Sequence, residues 1–248
     1  MASPLAAGSV ALIRQYFTDG YYPLGIKNTQ NAFQPTGALL KAVVINGASP
    51  MTGFNSDGIP LEPPPSCRQG WGRIHVAASI RLPTANHEMI VLQNESFTTT
   101  AQRKGVCFMV NGTEEALKAT LTWYDPAPSV VSDGTIVNDL DMIVTFVTGK
   151  KQIWPILGHQ DRVNNVEKMV WSSPKKGIYY VQVTAYRIQT LQNFALVITE
   201  KLVSLSSILT EKECHDYALS SPPSPPPSQP PNPPPSPPPS PPPSPPPS

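Results

Sequence analysis

From residue 83 to residue 202, short apolar stretches alternate with polar turns, and this pattern restricts the fold more than any other feature. In Leu117–Trp123 and Tyr179–Ala185 every second residue is apolar, as in a strand with one buried face. Eight stretches are predicted as strands: Met89–Leu92, Ser96–Thr100, Val106–Val110, Leu117–Trp123, Met142–Thr148, Val166–Trp171, Gly177–Ala185 and Phe194–Thr199. Eight short strands joined by polar turns predict an antiparallel sandwich of the jelly-roll kind.

The residues before 83 predict helices instead. Residues 4–17 are rich in apolar and small side chains, and Pro4 suits the first turn of a helix. Residues 35–45 carry an apolar stripe and are followed by Asn46-Gly47, a plausible C-terminal stop. The predicted fold class is therefore α+β, with a helical region before the sandwich.

Three segments of this helical region also carry recognisable motifs. Met1-Ala2-Ser3-Pro4 resembles the second half of Gly-Thr-Ser-Met-Ala-Ser-Pro, the nucleophile motif of subtilisin-like serine proteases. Residues 35–48 resemble the helix that follows the nucleophile helix in that family. Gln69–Ile74 resembles the Gly-Tyr/Trp-Gly-Arg-Val turn into the last helix of the catalytic domain, which implies a helix over Ile74–Ile80. The resemblance implies that residues 1–82 are the C-terminal remnant of a subtilisin-like α/β peptidase domain.

The same resemblance implies where the catalytic groups lie. The family's nucleophile is the Ser before the Met, so it is expected immediately before Met1. The catalytic Asp and His and the oxyanion-hole Asn are expected further upstream. We therefore expect no catalytic residue and no peptidase activity in this chain alone. Ser3 matches the second Ser of the motif and is expected to support the helix. A protein or peptide would be the substrate if an upstream half completed the enzyme.

The sandwich region carries a resemblance of its own. Leu121–Pro126, Val137–Val144 and Asp161–Glu167 are similar to parts of the β-sandwich appended to some subtilisin-like enzymes. Gly177–Tyr179 and Gln192–Val197 continue that similarity. Together with the N-terminal motifs, these segments indicate a serine endopeptidase of this family, represented by the end of its catalytic domain and the appended sandwich.

Four aspartates in this region form a candidate metal site: Asp125, Asp139, Asp141 and Asp161. Asp139 and Asp141 are two residues apart, so on a strand they lie on one face. Calcium prefers such grouped oxygen ligands, and some relatives with this sandwich are implied to bind it. The alternative is that these side chains cap turns by accepting backbone N–H bonds. Calcium is the one possible cofactor.

Charge and cysteine content limit the remaining classes. A formal net charge of +1 without a clustered basic stretch argues against nucleic-acid binding. No segment approaches the roughly 20 apolar residues of a membrane span, and no signal peptide is recognisable in this chain. Three cysteines, Cys67, Cys107 and Cys214, permit one disulfide, but the sequence does not choose the pair. Sequons at Asn94 and Asn111 are compatible with secretion.

The C-terminal end has a different composition. Of 32 prolines, 19 lie in Ser221–Ser248, which repeats Ser-Pro-Pro-Pro and predicts a disordered polyproline II tail. Residues 203–220 are assigned to a linker. The tail resembles Pro/Ser-rich stalks of plant and algal wall glycoproteins, which implies a secreted or cell-wall location. An alternative function follows: a non-catalytic sandwich that binds a wall glycoprotein or polysaccharide and is tethered by this tail.

Overall fold

The computed structural model describes residues 2–111, 115–128, 136–153, 155–156, 160–200, 202–208 and 210–220. These residues contain four α-helices and nine strands, besides a 3₁₀ turn at Thr29–Asn31. In chain order the elements are α1 (Ala2–Thr18), α2 (Gly37–Gly47), α3 (Val76–Ser79), β1 (Glu88–Phe97), β2 (Arg103–Val110), β3 (Leu117–Trp123), β4 (Asp139–Phe146), β5 (Lys151–Ile153), β6 (Val166–Trp171), β7 (Gly177–Arg187), β8 (Gln192–Glu200), β9 (Leu202–Ile208) and α4 (Glu211–Ser220).

The strands form two antiparallel sheets. One sheet has the order β1-β8-β3-β6, and the other has the order β5-β4-β7-β2-β9. The first eight strands are distributed between the sheets as in an eight-stranded jelly roll, and β9 extends the second sheet beside β2. The predicted β-sandwich is therefore confirmed. Ser96 belongs to β1, which continues through a register shift to Phe97, whereas the sequence predicted two separate strands.

The core between the sheets is built by the alternation that the sequence displays. On β3, Leu121 and Trp123 are buried and pack against residues of the opposite sheet such as Leu140 and Tyr179. The intervening Thr120 and Thr122 are also fully buried, but on the outer face of the sheet. An outer face that is buried this completely must be covered by another layer.

Helix α2 supplies that layer. Its Leu39 and Val43 pack against Ala195 and Val197 on the outer face of β8, at the second set of alternating positions along that strand. Asn46 is fully buried on the same helix. The helical region and the sandwich thus share a continuous apolar interface, while the domain boundary predicted at residues 82 and 83 stays a prediction.

The predicted helices are present with shifted ends. Helix α2 begins at Gly37 because Thr36 caps it, accepting a hydrogen bond from the Leu39 N–H at 3.1 Å. The last helix is a single turn, α3, capped by His75. Helix α1 spans the predicted residues and buries only its C-terminal half, at Ile13, Tyr16 and Phe17. None of the described helices is long and apolar enough to span a membrane.

The prediction of a linker over 203–220 is corrected by the structure. Strand β9 pairs with β2, and α4 packs near β7 and β2. A disulfide between Cys107 on β2 and Cys214 on α4 ties the two together, and both cysteines are fully buried. The linker prediction failed because these contacts join residues far apart in the chain. The predicted tail, 221–248, lies outside the described residues.

Removing this disulfide should weaken the whole fold. The bond closes a loop with a sequence separation of 107 residues, so Cys214→Ser should lower the free energy of unfolding by about 2–5 kcal/mol in urea denaturation. Cys67→Ser is the matched control, because Cys67 is exposed and unpaired and its loss should change stability by less than about 0.5 kcal/mol. Equal stability of the two variants would contradict the disulfide's role.

Candidate functional site

The start of α1, where the nucleophile motif ends, is open to solvent. Ala2, Ser3 and Pro4 are all exposed, and Pro4 lies in the first turn as predicted. Met1 lies outside the described residues. Leu5 and Leu12 remain 74% and 59% exposed, so the N-terminal half of the helix has an uncovered apolar face.

No histidine of the described chain is hydrogen-bonded to Ser3. His75 instead caps α3, where its Nδ1 accepts a hydrogen bond from the Ala78 N–H at 2.9 Å. His87 is partly buried, and burial, with nearby Lys118, lowers its pKa. His159 lies outside the described residues. The described part of the chain therefore contains no activated serine of the Ser–His type at this helix.

Two of the predicted metal ligands, Asp139 and Asp141, do come together at the start of β4. Their side chains are only 2% and 10% exposed, and both form ion pairs with Arg162. Arg162 Nη1 lies 3.2 Å from Asp139 Oδ2, and Nη2 lies 3.1 Å from Asp141 Oδ2. The guanidinium also lies 3.6 Å from the centroid of the Tyr186 ring. Arginine thus provides the positive charge that relieves repulsion between the two acids.

Burial remains costly for Asp139 despite this partner. Burial raises its pKa, whereas the Arg162 charge acts in the opposite direction. Its Oδ1 atom is buried and has no hydrogen-bond partner among the described residues. The pair therefore depends strongly on Arg162, because a buried carboxylate without a counter-charge is destabilising.

The other two predicted ligands, Asp125 and Asp161, cap loops. Asp125 accepts hydrogen bonds from the backbone N–H groups of Val137 and Asn138, at 2.5 and 2.7 Å. Asp161 Oδ1 accepts from the N–H groups of Val163 and Asn164, at 2.8 and 3.0 Å. These are the turn-capping roles that the sequence left open as the alternative to calcium.

The four aspartates do not fit a calcium site in this arrangement. No group of three or more possible acidic, histidine or cysteine ligands occurs among the residues that the structure describes. Arg162 occupies the position between Asp139 and Asp141, where a cation would have to bind. Calcium at these residues stays a prediction, and binding would require Arg162 to move away.

Two buried charged groups on β6, Glu167 and Lys168, were not singled out from the sequence. Glu167 accepts hydrogen bonds from the N–H groups of Met142 and Asp161, at 2.5 and 3.1 Å. Burial nevertheless raises the pKa of Glu167 to about 8. Glu167 ends the Asp161–Glu167 segment that resembles the appended sandwich, but nothing in that pattern indicates that Glu167 or Lys168 is buried.

Lys168 lies on the opposite face of β6, toward the helical region. Its Nζ donates a hydrogen bond to the Ile45 carbonyl at 2.6 Å and lies 5.9 Å from the Trp71 ring centroid. Burial, assisted by the nearby charge of Lys118, lowers the pKa of Lys168 to about 8. The lysine therefore fastens the C-terminal end of α2 to the sandwich.

A cavity of about 540 Å³ lies beside this contact, and a second of about 310 Å³ adjoins it. Trp71, from the Gly-Trp-Gly-Arg motif, lines both. Lys41 and Asn165 line the larger cavity and are hydrogen-bonded to each other at 2.7 Å. The strand aromatics Trp123 and Tyr179 are core residues. Trp71 is thus an aromatic side chain placed to meet a ligand in either cavity.

Removing the Arg162 charge should be more damaging than removing an exposed ion pair. Arg162→Ala leaves two buried acids facing each other, and we expect a loss of about 2–3 kcal/mol in the free energy of unfolding. The matched control is Arg68→Ala, because Arg68 pairs with the largely exposed Glu62 and should contribute at most about 1 kcal/mol.

The same variants test calcium. If calcium binds these aspartates, saturating calcium should raise the melting temperature of Arg162→Ala more than that of the unaltered chain, because a ligand of the native state stabilises it. Melting temperatures that do not change between calcium and chelator in either protein would remove the calcium prediction.

The two β6 charges predict a minimum of stability near pH 8. Burial raises the pKa of Glu167 from its ordinary value of 4.5 to about 8, so its contribution to stability falls as the pH rises across that interval. Burial lowers the pKa of Lys168 from its ordinary value of 10.5 to about 8, so its contribution to stability rises between those pH values. Urea denaturation across pH should show both slopes.

Two variants test which residue causes each slope of the stability profile. Glu167→Gln should flatten the fall below pH 8 and leave the rise above it, and Lys168→Met should do the reverse. A pH profile unchanged by either substitution would show that these groups do not titrate as buried charges.

No family model matches the chain. Proteins similar to it include three from Dictyostelium discoideum, named serine protease/ABC transporter B family proteins tagA, tagD and tagB. They are 28%, 27% and 26% identical over 229, 219 and 227 residues. The matches cover 86%, 69% and 73% of this chain, and the chain spans 12% of the length of each relative. The chain is thus similar to one segment of much longer proteins that are named as serine proteases.

Proposed function

We propose that this chain is the C-terminal part of a subtilisin-like serine endopeptidase, comprising the end of the catalytic domain and its appended sandwich. The observation that carries the proposal is the packing against one another of the three helices that contain or follow these motifs. Helix α1 contacts both α2 and α3, and α2 contacts α3. The helices that contain or follow the family's motifs, in the family's order, thus form one cluster.

Two glycines show how closely the motif segments fit. A Cβ on Gly47, at the end of α2, would lie 2.3 Å from Ser79 Oγ and 2.5 Å from Ser79 Cα. Gly72 has a φ of +111°, and a Cβ there would lie 2.4 Å from the Ser49 carbonyl oxygen. Neighbouring Arg73 exchanges two 2.9 Å backbone hydrogen bonds with Ser49. Larger residues at either glycine would separate the segments.

The uncovered half of α1 supports the same proposal. A Cβ on Gly8 would meet no atom within 4 Å, and Leu5 and Leu12 are exposed. Small and apolar residues suit a helix that is surrounded by other backbone segments. In the proposed enzyme, the part of the catalytic domain that precedes this helix covers that face.

In the complete enzyme this chain would position the nucleophile and would not supply it. The nucleophile would stand at the N-terminus of α1, where the helix dipole favours negative charge. An upstream His would take its proton, and an upstream Asp would orient that His. Ser3 would remain a structural residue of the first turn. The substrate would be a protein or peptide.

The buried disulfide supports a location in the secretory pathway or outside the cell, because disulfides persist in oxidising compartments. The predicted polyproline tail would then extend from α4 into the wall or matrix.

A second candidate function is a non-catalytic binding module, and the Trp71-lined cavities favour it. An aromatic ring beside lysine and asparagine side chains suits a sugar or an acidic polymer. Its recombinant form should include residues 2–220. Residues 83–202 alone would expose the α2-covered face of β8 and lose β9 and the disulfide.

A serine-directed fluorophosphonate probe separates the two functions. We expect no labelling of this chain alone, labelling when the coding sequence immediately upstream is restored in frame, and unchanged labelling in Ser3→Ala of that longer protein. Alanine in place of the serine before Met1 should abolish the labelling.

Two results would overturn the endopeptidase proposal. One is a closed upstream frame with no Gly-Thr-Ser, which would leave the binding module. The other is labelling of the chain alone that Ser3→Ala removes, because the nucleophile would then lie inside the chain.

A further inference from the structure

Strand β1 carries an irregularity at Asn94. Its pairing with β8 shifts between Leu92 and Glu95, so Gln93 and Asn94 form a bulge in an edge strand. Asn94 has a φ of +61°, a conformation that asparagine tolerates better than most residues. The bulge takes Asn94 out of the strand alternation, and its side chain is exposed.

The side chains of the two bulge residues differ in their hydrogen bonds. Gln93 accepts a hydrogen bond from the Thr36 N–H at 2.9 Å and donates one to the Gln34 carbonyl at 3.3 Å, so it ties β1 to the start of α2. The Asn94 side chain makes no hydrogen bond to any described residue. Its amide is therefore free for modification without loss of a native contact.

The residues around Asn94 complete an acceptor sequence. Asn94-Glu95-Ser96 is an Asn-x-Ser sequon in which x is not proline. The Glu95 side chain is held by its 2.6 Å ion pair with Lys104. Ser96 is again in regular pairing, opposite Asn193. The bulge thus separates the acceptor amide from the paired strand on either side.

The disulfide is an independent observation about the compartment. Cys107 and Cys214 are bonded and fully buried, which indicates folding in an oxidising lumen. N-linked glycans are added to secreted proteins at such sequons on their surface. Exposure, sequon and compartment therefore point to the same modification.

We propose that Asn94 carries an N-linked oligosaccharide that covers the edge of β1 around the bulge. The donor is a lipid diphosphate-linked oligosaccharide. The Asn94 Nδ2 atom forms a bond to the anomeric carbon of the first sugar as that carbon's bond to the diphosphate oxygen breaks. The amide loses one proton, and the lipid diphosphate leaves. An attached glycan shields this part of the edge strand from other strands. This proposal does not depend on the endopeptidase function.

The test is site mapping of the chain secreted from a eukaryotic host behind a cleavable leader. A glycoamidase in heavy-oxygen water converts each glycosylated asparagine to labelled aspartate. We expect label at position 94 in the unaltered chain and in Ser96→Thr, which keeps the sequon. Ser96→Ala and Asn94→Gln should lose it, while Asn111→Gln should retain label at 94. Unlabelled Asn94 in secreted, disulfide-bonded protein would overturn the proposal.

The edge-covering role has its own measurement. Sedimentation of the secreted proteins should show more self-association for Ser96→Ala than for Ser96→Thr, because only the former exposes the edge. Equal association would refute the covering role even if the site is modified.

Discussion

The structure depends on the contact between helix α2 and the outer face of the β1-β8-β3-β6 sheet. At its centre Asn46 is fully buried. Its Nδ2 donates to Thr199 Oγ1 at 2.8 Å, and its Oδ1 accepts from Thr120 Oγ1 at 2.9 Å. A buried amide without partners would cost about 1–3 kcal/mol, so these two threonines make the contact specific. Leu39 and Val43 beside it supply the apolar area.

The position of α1, and so of the proposed nucleophile, depends on this contact. Thr122 Oγ1 donates to the Ala38 carbonyl at 2.7 Å, at the other end of α2, and Lys168 fixes the C-terminal end. Helix α1 packs on α2 through Phe17 and its neighbours. In the proposed endopeptidase the sandwich therefore helps to position the nucleophile's helix, because it fixes α2, the helix on which α1 packs.

The sequence predicted those features that depend on local pattern. Alternation along β3 and β7 located strands, and the apolar stripe of α2 located a helix. Nothing local distinguishes β9 from a linker, because its partner β2 lies about a hundred residues earlier. For the same reason, the sequence could not predict that Cys107 pairs with Cys214 and that Cys67 stays free.

The candidate metal site shows the same limit in electrostatic terms. The spacing of Asp139 and Asp141 correctly predicts two acids on one face, but a sequence pattern cannot show which cation faces them. Arg162 is about twenty residues away in the chain, and only the fold brings it between the acids. Lys168 and Glu167 are neighbours in sequence with opposite surroundings, so their pKa values follow from the layers packed on each face of β6.

Native-state hydrogen exchange on residues 2–220 tests most directly whether the helical layer and the sandwich form one cooperative unit. The account predicts that the slowest amides of α2 exchange with the same opening free energy as those of β3 and β8, because α2 cannot leave without exposing both faces of the contact. Exchange of α2 at a clearly lower free energy, with the β3 and β8 amides still protected, would contradict it.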